Sequence, residues 1–236
     1  MVEVYYLKLN KLIERHLYYK LLKFVSDNRK KRVKRFLKYE DAILSLMSEL
    51  LIRYLIISKI KVSNDEIKFY LGEHGKPFIK LIPDFYYNIT NTSGLIVCGI
   101  DKNPIGVDAE IIRPIDLNVA KIFFSKEEFK VLENANEKQR EECFYELWTY
   151  KESYLKQIGT GLSKPLNSFS ICYDKDEVYL KDKNEFVKGR YFKQINLNES
   201  YKIAVCFEEN EFNNVLKEVY LKEVYLKDIE KLFLEN

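Results

Sequence analysis

Histidine, glycine and proline are scarce in this chain, and each scarcity removes a class of protein. There are two histidines, His16 and His74, and four cysteines, Cys98, Cys143, Cys172 and Cys206, spread far apart. No pair has metal-ligand spacing, which argues against a zinc site. Each cysteine has apolar neighbours and reads as a small buried hydrophobe. Eight glycines and five prolines in 236 residues are too few for a loop-rich scaffold. No signal peptide is visible at the N-terminus, so the expected address is the reducing cytoplasm. The most apolar run, Ala42 to Ile60, is broken by Glu49, Arg53 and Lys59. It reads as a buried helix, and no membrane partner is expected. An excess of charge of one sign is also nearly absent: the formal net charge is +3, which requires no nucleic acid, although a local cluster can still bind phosphate.

What the chain does have is apolar and aromatic bulk. Hydrophobic residues make up 47% of it, with 18 tyrosines and 15 phenylalanines, enough for a proper core in one large or two small domains. Charged residues are 32%, a globular balance. The patterning predicts a strand over Val2 to Leu9, a helix over Lys11 to Val25, and a helix start at Ser26-Asp27-Asn28. A long helix, apolar on most sides, is predicted over Tyr39 to Lys59. Short strands follow at Glu66 to Leu71 and Tyr86 to Ile89. Leu95 to Ile100 and Ile105 to Ile111 read as a hairpin turning through Asp101 to Pro104. After Pro114 come helices over Ile115 to Phe124, from Ser125, and from Asn136 to Gly159. Strands are predicted at Ser168 to Tyr173, Val178 to Leu180, Arg190 to Ile195 and Lys202 to Phe207. The tail repeats Lys-Glu-Val-Tyr-Leu at 217–221 and 222–226, a period of five that fits neither helix nor strand faces.

Three stretches hold candidate chemistry. Arg29-Lys30-Lys31-Arg32-Val33-Lys34-Arg35 is the densest cationic run, either a solvated face or an anion site. Asp108 and Glu110 alternate in a strand and point to one side. They either face solvent on an edge or share a cation, and a third carboxylate, Glu152, would complete an oxygen site of the kind Mg²⁺ prefers. In Trp148-Thr149-Tyr150-Lys151-Glu152-Ser153-Tyr154-Leu155-Lys156, residues Trp148, Glu152 and Lys156 share a helix face. That Glu–Lys pair is either a solvated surface pair or part of the site. Ser125 and Glu128 have capping-box spacing.

The order of these residues resembles the surfactin-synthetase-activating type of 4′-phosphopantetheinyl transferases, over about residues 1–210. The matching stretches are Gly75-Lys76-Pro77, Tyr87-Asn88-Ile89-Thr90-Asn91, Ile105-Gly106-Val107-Asp108-Ala109-Glu110, Phe123-Phe124-Ser125-Lys126-Glu127-Glu128, and Trp148 to Lys156. Gly159-Thr160-Gly161-Leu162-Ser163 and Pro165-Leu166 also match. The resemblance implies an α+β pseudo-dimer of two similar halves, each with a small antiparallel sheet and a long helix, and the coenzyme between them. The halves would be residues 1–104 and 105–210, with 211–236 an appendage. The implied reaction moves the 4′-phosphopantetheine of coenzyme A to a serine of an apo acyl or peptidyl carrier protein, releasing 3′,5′-ADP.

The resemblance also implies the site. Asp108, Glu110 and Glu152 would hold Mg²⁺, with Mn²⁺ as a substitute. Lys156 would neutralise or protonate the departing phosphate, and Glu128 is either a base or metal-water partner, or only a helix cap. Arg29, Arg32 and Ser45 would meet the 3′-phosphate, and Lys76 with Pro77 a phosphate or the adenine edge. Thr90, Asn91, Asp108, Lys151 and Lys156 complete the expected coenzyme contacts. One departure stands out: Asn91 occupies a position where the family has histidine, and it cannot carry charge. A monomer is expected, with carrier docking around Pro114 to Phe124. The alternative is a relative that grips coenzyme A or carriers without efficient transfer. An unrelated metal-dependent phosphoryl-transfer enzyme or nuclease would leave the Gly-Lys-Pro and Gly-Thr-Gly-Leu-Ser matches unexplained.

Overall fold

The computed structural model describes residues 1–80, 82–174, 177–183, 185–208 and 218–235. The chain opens with strand β1 (Val2–Lys8), helix α1 (Arg15–Leu21), helix α2 (Asp27–Val33) and the long helix α3 (Tyr39–Ile60). Strands β2 (Phe69–Leu71), β3 (Pro77–Ile79), β4 (Tyr86–Thr92), β5 (Leu95–Asp101) and β6 (Ile105–Ile111) follow. Then come helices α4 (Leu117–Phe123), α5 (Lys126–Asn134) and α6 (Glu137–Ile158). Strands β7 (Phe169–Asp174), β8 (Glu177–Asp182), β9 (Glu185–Phe186), β10 (Arg190–Gln194), β11 (Tyr201–Glu208) and β12 (Val219–Glu223) precede helix α7 (Leu226–Leu234). No helix among the described residues is long and apolar enough to cross a membrane.

The period-2 alternation of the strands builds a four-layer stack. In β1 and β5, Tyr5, Leu7, Ile96, Cys98 and Ile100 face α3 in one core. Their alternates Val2, Val4, Leu95 and Val97 face the other way, against Ile105, Val107 and Ala109 of β6 and Ile203, Val205 and Phe207 of β11. The far face of β11, Ala204 and Cys206, packs with Leu147, Tyr150, Tyr154 and Leu155 of α6. The order is therefore helix, sheet, sheet, helix, as expected when each sheet buries both faces. The fold is α+β, with two halves each built on one main sheet and one 22-residue helix, and with the smaller sheets β2–β3 and β7–β8–β9 beside them.

The expected β5–β6 hairpin is not formed. β5 lies between β1 and β4, both antiparallel to it, so its two edges are already taken. After the turn at 102–104 the chain crosses into the second sheet, where β6 pairs with β11. The true hairpin is β4–β5, closed by Gly94 in the left-handed region at φ +76°.

Gly106 sets the spacing between β6 and α6. A Cβ there would lie 1.9 Å from the Ser153 carbonyl oxygen and 2.4 Å from the Gln157 nitrogen, both helix backbone. Gly106→Ala must push the whole helix away, so a loss of about 1–3 kcal/mol in urea unfolding is expected. At Gly99, by contrast, an added Cβ would meet the movable Ile105 side chain at 2.9 Å. Gly99→Ala should cost less, and equal losses at the two sites would contradict this packing.

The described part of the tail joins the first sheet. β12 pairs in parallel with β1, which makes the first sheet mixed where an antiparallel one was expected. The period of five has a physical use here, because residues an odd number apart sit on opposite strand faces. Val219 packs at the sheet–sheet seam and Val224, its counterpart in the second copy, in the α3 core. Ile229 and Phe233 of α7 join that core, with the Phe233 ring 5.3 Å from Phe24. Residues 211–217, including the first residue of the repeat, and residue 236 lie outside the described residues.

Candidate active site

The two edge strands β4 and β6 run side by side where the halves meet. Side chains stitch this seam. Asn88, Thr90 and Thr92 share one face of β4 by their spacing of two. Asn88 Oδ1 accepts from the Val107 backbone N–H at 2.8 Å. Thr90 Oγ1 donates to Asp108 Oδ1 at 3.2 Å, and Thr92 Oγ1 to Glu110 Oε2 at 3.4 Å. Asn88 and Thr92 were not singled out from the sequence, although the alternation with Thr90 was there to find them.

α6 closes the other side. Lys156 Nζ donates to Asp108 Oδ1 at 2.5 Å and to Thr90 Oγ1 at 3.1 Å. One lysine thus ties α6 to β6 and to β4 of the first half. Burial first, then Asp108, pushes the Glu110 carboxyl up to about 7, with Lys156 and the Thr92 hydroxyl pulling down and Glu152 adding to the rise. Glu152 is raised in the same way, by burial and then by Asp108, with Lys156 opposing. Three carboxylates therefore lie close to one another and to one lysine. Asp108 is buried and its Oδ2 has no hydrogen-bond partner. Hard oxygen donors and an unpartnered carboxylate oxygen suit a divalent cation in their chemistry. Among the described residues, however, no three His, Cys, Asp or Glu side chains form a ready-made ligand set.

The cationic run lies on the first half. Ser26 caps α2 by accepting from Arg29 N at 3.2 Å. Arg29 donates through Nε to Glu49 at 3.1 Å and through Nη1 to Ser45 Oγ at 2.9 Å. Arg32 is exposed, and its guanidinium is held below its usual range by partial desolvation and then by Arg29. Asn91 Nδ2 donates to Ser48 Oγ at 3.3 Å, on α3.

Lys76 bridges the halves. Its Nζ donates to the carbonyls of Ile105 and Gln157, each at 3.0 Å, so it closes the C-terminal end of α6. Burial pushes it down to about 8. A cleft beside it is lined by Lys76, Pro77, Tyr86, Pro104, Ile158 and Gly159.

Two expectations are corrected by burial. Lys151 is 0% exposed, and its Nζ donates to the carbonyls of Leu166 and Phe169 and pairs with Glu128 at 2.9 Å. It has no donor left for a coenzyme. Glu128 is 4% exposed, with Oε2 on the Ser125 N–H at 2.8 Å and Oε1 on the Ile171 N–H at 2.7 Å. The capping box holds it, and the ion pair locks it in the core of the second half. Trp148 sits in the same half, its ring stacked on Phe144 at 5.8 Å.

Comparison with known proteins agrees with this architecture. Residues 104–206 match the 4′-phosphopantetheinyl transferase superfamily model, and residues 14–100 match the N-terminal model of a 4′-phosphopantetheinyl transferase. The chain belongs to the 4′-phosphopantetheinyl transferase superfamily. It is 35% identical over 193 residues to the 4′-phosphopantetheinyl transferase Sfp of Bacillus subtilis (strain 168), covering 82% of this chain and 86% of that protein. It is 35% identical over 208 residues to the transferase gsp of Aneurinibacillus migulanus, covering 87% and 86%. It is 32% identical over 183 residues to psf-1 of Bacillus pumilus, covering 78% of each.

Proposed function

We propose that this chain transfers the 4′-phosphopantetheine of coenzyme A to a serine of an apo acyl or peptidyl carrier protein, releasing 3′,5′-ADP. The observation behind this reading is 35% identity to Sfp over most of both chains. The serine oxygen attacks the phosphorus that bears the pantetheine arm. The bond from that phosphorus to the bridging oxygen breaks, and 3′,5′-ADP leaves with the electron pair.

Lys156 is assigned to the departing phosphate, since its ammonium already stands at the seam on Asp108 and Thr90. Glu152, beside Asp108, is assigned to the cation, and the serine proton passes to solvent water at the seam, because Glu128 is committed to the core. The Thr90 hydroxyl is assigned to hold Lys156 and Asp108 at the pyrophosphate, and the second N–H of the Asn91 amide, on the α3 side, to a phosphate oxygen. Arg29, Arg32 and Ser45 take the 3′-phosphate, and Lys76 with Pro77 forms the wall on the nucleoside side. Asp108, Glu110 and Glu152 would hold Mg²⁺, or Mn²⁺ in its place. Bound there, the cation would supply positive charge to the pyrophosphate oxygens.

We divide the working unit at residues 104 and 105, where the chain leaves the first sheet, and assign the described tail to the first half. Because both halves of the site lie in one chain, we propose a monomer; we also assign it to the cytoplasm, with nonribosomal peptide or polyketide carriers as its partners. Release of 3′,5′-ADP from coenzyme A, seen only when an apo carrier is present, tests the reaction. Release without a carrier would point to hydrolysis instead.

A second reading, a binding relative with poor transfer, draws on Asn91. The amide hydrogen-bonds to Ser48 and brings no positive charge to the phosphates. Asn91→His is expected to lower the KM for coenzyme A about fivefold at pH 6, roughly 1 kcal/mol, with little change at pH 8. The wild type should be flatter across that range. Identical pH profiles for the two proteins would show that Asn91 does not face the phosphates.

A further inference from the structure

Glu49 is a buried acid in the middle of α3, 4% exposed, and it is over-provided with cations. Arg53, one turn along, donates through Nε to Glu49 Oε1 at 2.9 Å and brings Nη2 to the same oxygen at 2.9 Å. Arg53 is itself anchored through Nη1 to the carbonyl and the side-chain oxygen of Asn64, at 3.1 and 3.0 Å. That pair alone neutralises the carboxylate. Yet Glu49 also takes Arg29 Nε on Oε2, and accepts the Ser26 N–H at 2.6 Å and the Ser26 hydroxyl at 2.9 Å.

We propose that Glu49 is a positioning residue that aims Arg29 at the phosphate-bearing end of the coenzyme. This rests on the assignment of Arg29 to the 3′-phosphate made above. A guanidinium has five N–H donors in a rigid fork. Glu49 takes Nε and Ser45 takes one N–H of Nη1, so the plane of the group is fixed on two sides. Among the described residues nothing takes Nη2, the side chain keeps 20% of its surface exposed, and Arg32 is near enough to feel its charge. Through Ser26, the same carboxylate holds the start of α2, so it sets both the root and the tip of the arginine. Two arginines on one carboxylate leave a surplus positive charge, and Arg32 adds a second. Such a surplus, with its plane already fixed, matches a phosphate dianion, which binds in bidentate fashion with little further loss of side-chain freedom.

The test compares coenzyme A with dephospho-coenzyme A, which lacks the 3′-phosphate, as substrates of the full chain with an apo carrier. The wild type is expected to prefer coenzyme A in KM. Glu49→Gln is expected to raise the KM for coenzyme A about tenfold, as a charge-assisted bond is lost. The KM for dephospho-coenzyme A and both kcat values should stay within about twofold, because only the phosphate contact is disturbed. Glu49→Asp should regain part of the preference, and Ser45→Ala should erode it in the same direction by a smaller factor. Arg53→Gln, on the far side of the carboxylate, should lower stability with less effect on the preference.

A wild type indifferent to the 3′-phosphate would overturn the assignment of Arg29, and this inference with it. A wild-type preference left intact by Glu49→Gln would overturn the positioning role alone, as would equal losses on both substrates. If Glu49→Gln does not fold, Glu49→Asp carries the test, because its shorter carboxylate withdraws from Arg29 Nε, and a preference unchanged from wild type in that variant overturns the role.

Discussion

Asp108→Ala is expected to lower kcat/KM for transfer by about 10²–10³-fold, the usual cost of removing one preorganised electrostatic group from a reacting centre. The variant should remain folded. Asp108 meets Lys156, whose side chain is 27% exposed and stays hydrated when its partner goes. The loss has two sources at one position. Oδ1 fixes the Lys156 ammonium at the seam together with Thr90, and the unpartnered Oδ2 is an oxygen available to a cation. Asp108→Asn keeps the shape and removes the charge, so it should lose nearly as much. Activity of either variant within a few-fold of wild type, at an unchanged unfolding midpoint, would remove Asp108 from the chemistry.

The second large effect falls on stability. Lys151→Met leaves Glu128 as an unpaired charge in the core of the second half, and Glu128→Gln does the same to Lys151. Each should cost about 3–5 kcal/mol in urea unfolding, since breaking a fully buried pair from one side strands the other charge. The double variant Lys151→Met with Glu128→Gln should recover part of the loss. Burial pushes Lys151 down and Glu128 pulls it back up, so the lysine depends on its partner for its charge. Among molecules that do fold, turnover should be near wild type. An unchanged unfolding midpoint with abolished turnover in Glu128→Gln would return that residue to the active site.

The sequence and the structure agree best where local rules decide. The Ser125–Glu128 capping box was legible because its two bonds lie within one helix turn, and both form. What spacing cannot reveal is the tertiary partner. The box residue also pairs with Lys151, 23 positions away, and that contact decides between cap and base. Glu49 and Arg53 were visible as charges interrupting an apolar helix, and their spacing of four is that of an ion pair. Nothing local signals the second arginine on the same carboxylate.

The β5–β6 hairpin failed for a related reason. Two apolar strands around a short turn look alike whether they pair with each other or diverge into two sheets. What separates them is that β1 and β4 already occupy both edges of β5. Gly106 is legible as part of a motif, but its reason, the helix backbone less than 2 Å from where a Cβ would be, belongs to packing alone. The tail repeat fitted neither single-face pattern, because its two valines serve opposite faces of one sheet edge.

The most direct test is intact-mass analysis of an apo carrier protein incubated with this chain, coenzyme A and Mg²⁺, beside an Asp108→Ala control. The expected result is a carrier heavier by one 4′-phosphopantetheine, with no gain in the control over the same time. No gain with several different carriers, although the chain binds coenzyme A, would contradict transfer and leave the binding relative as the function.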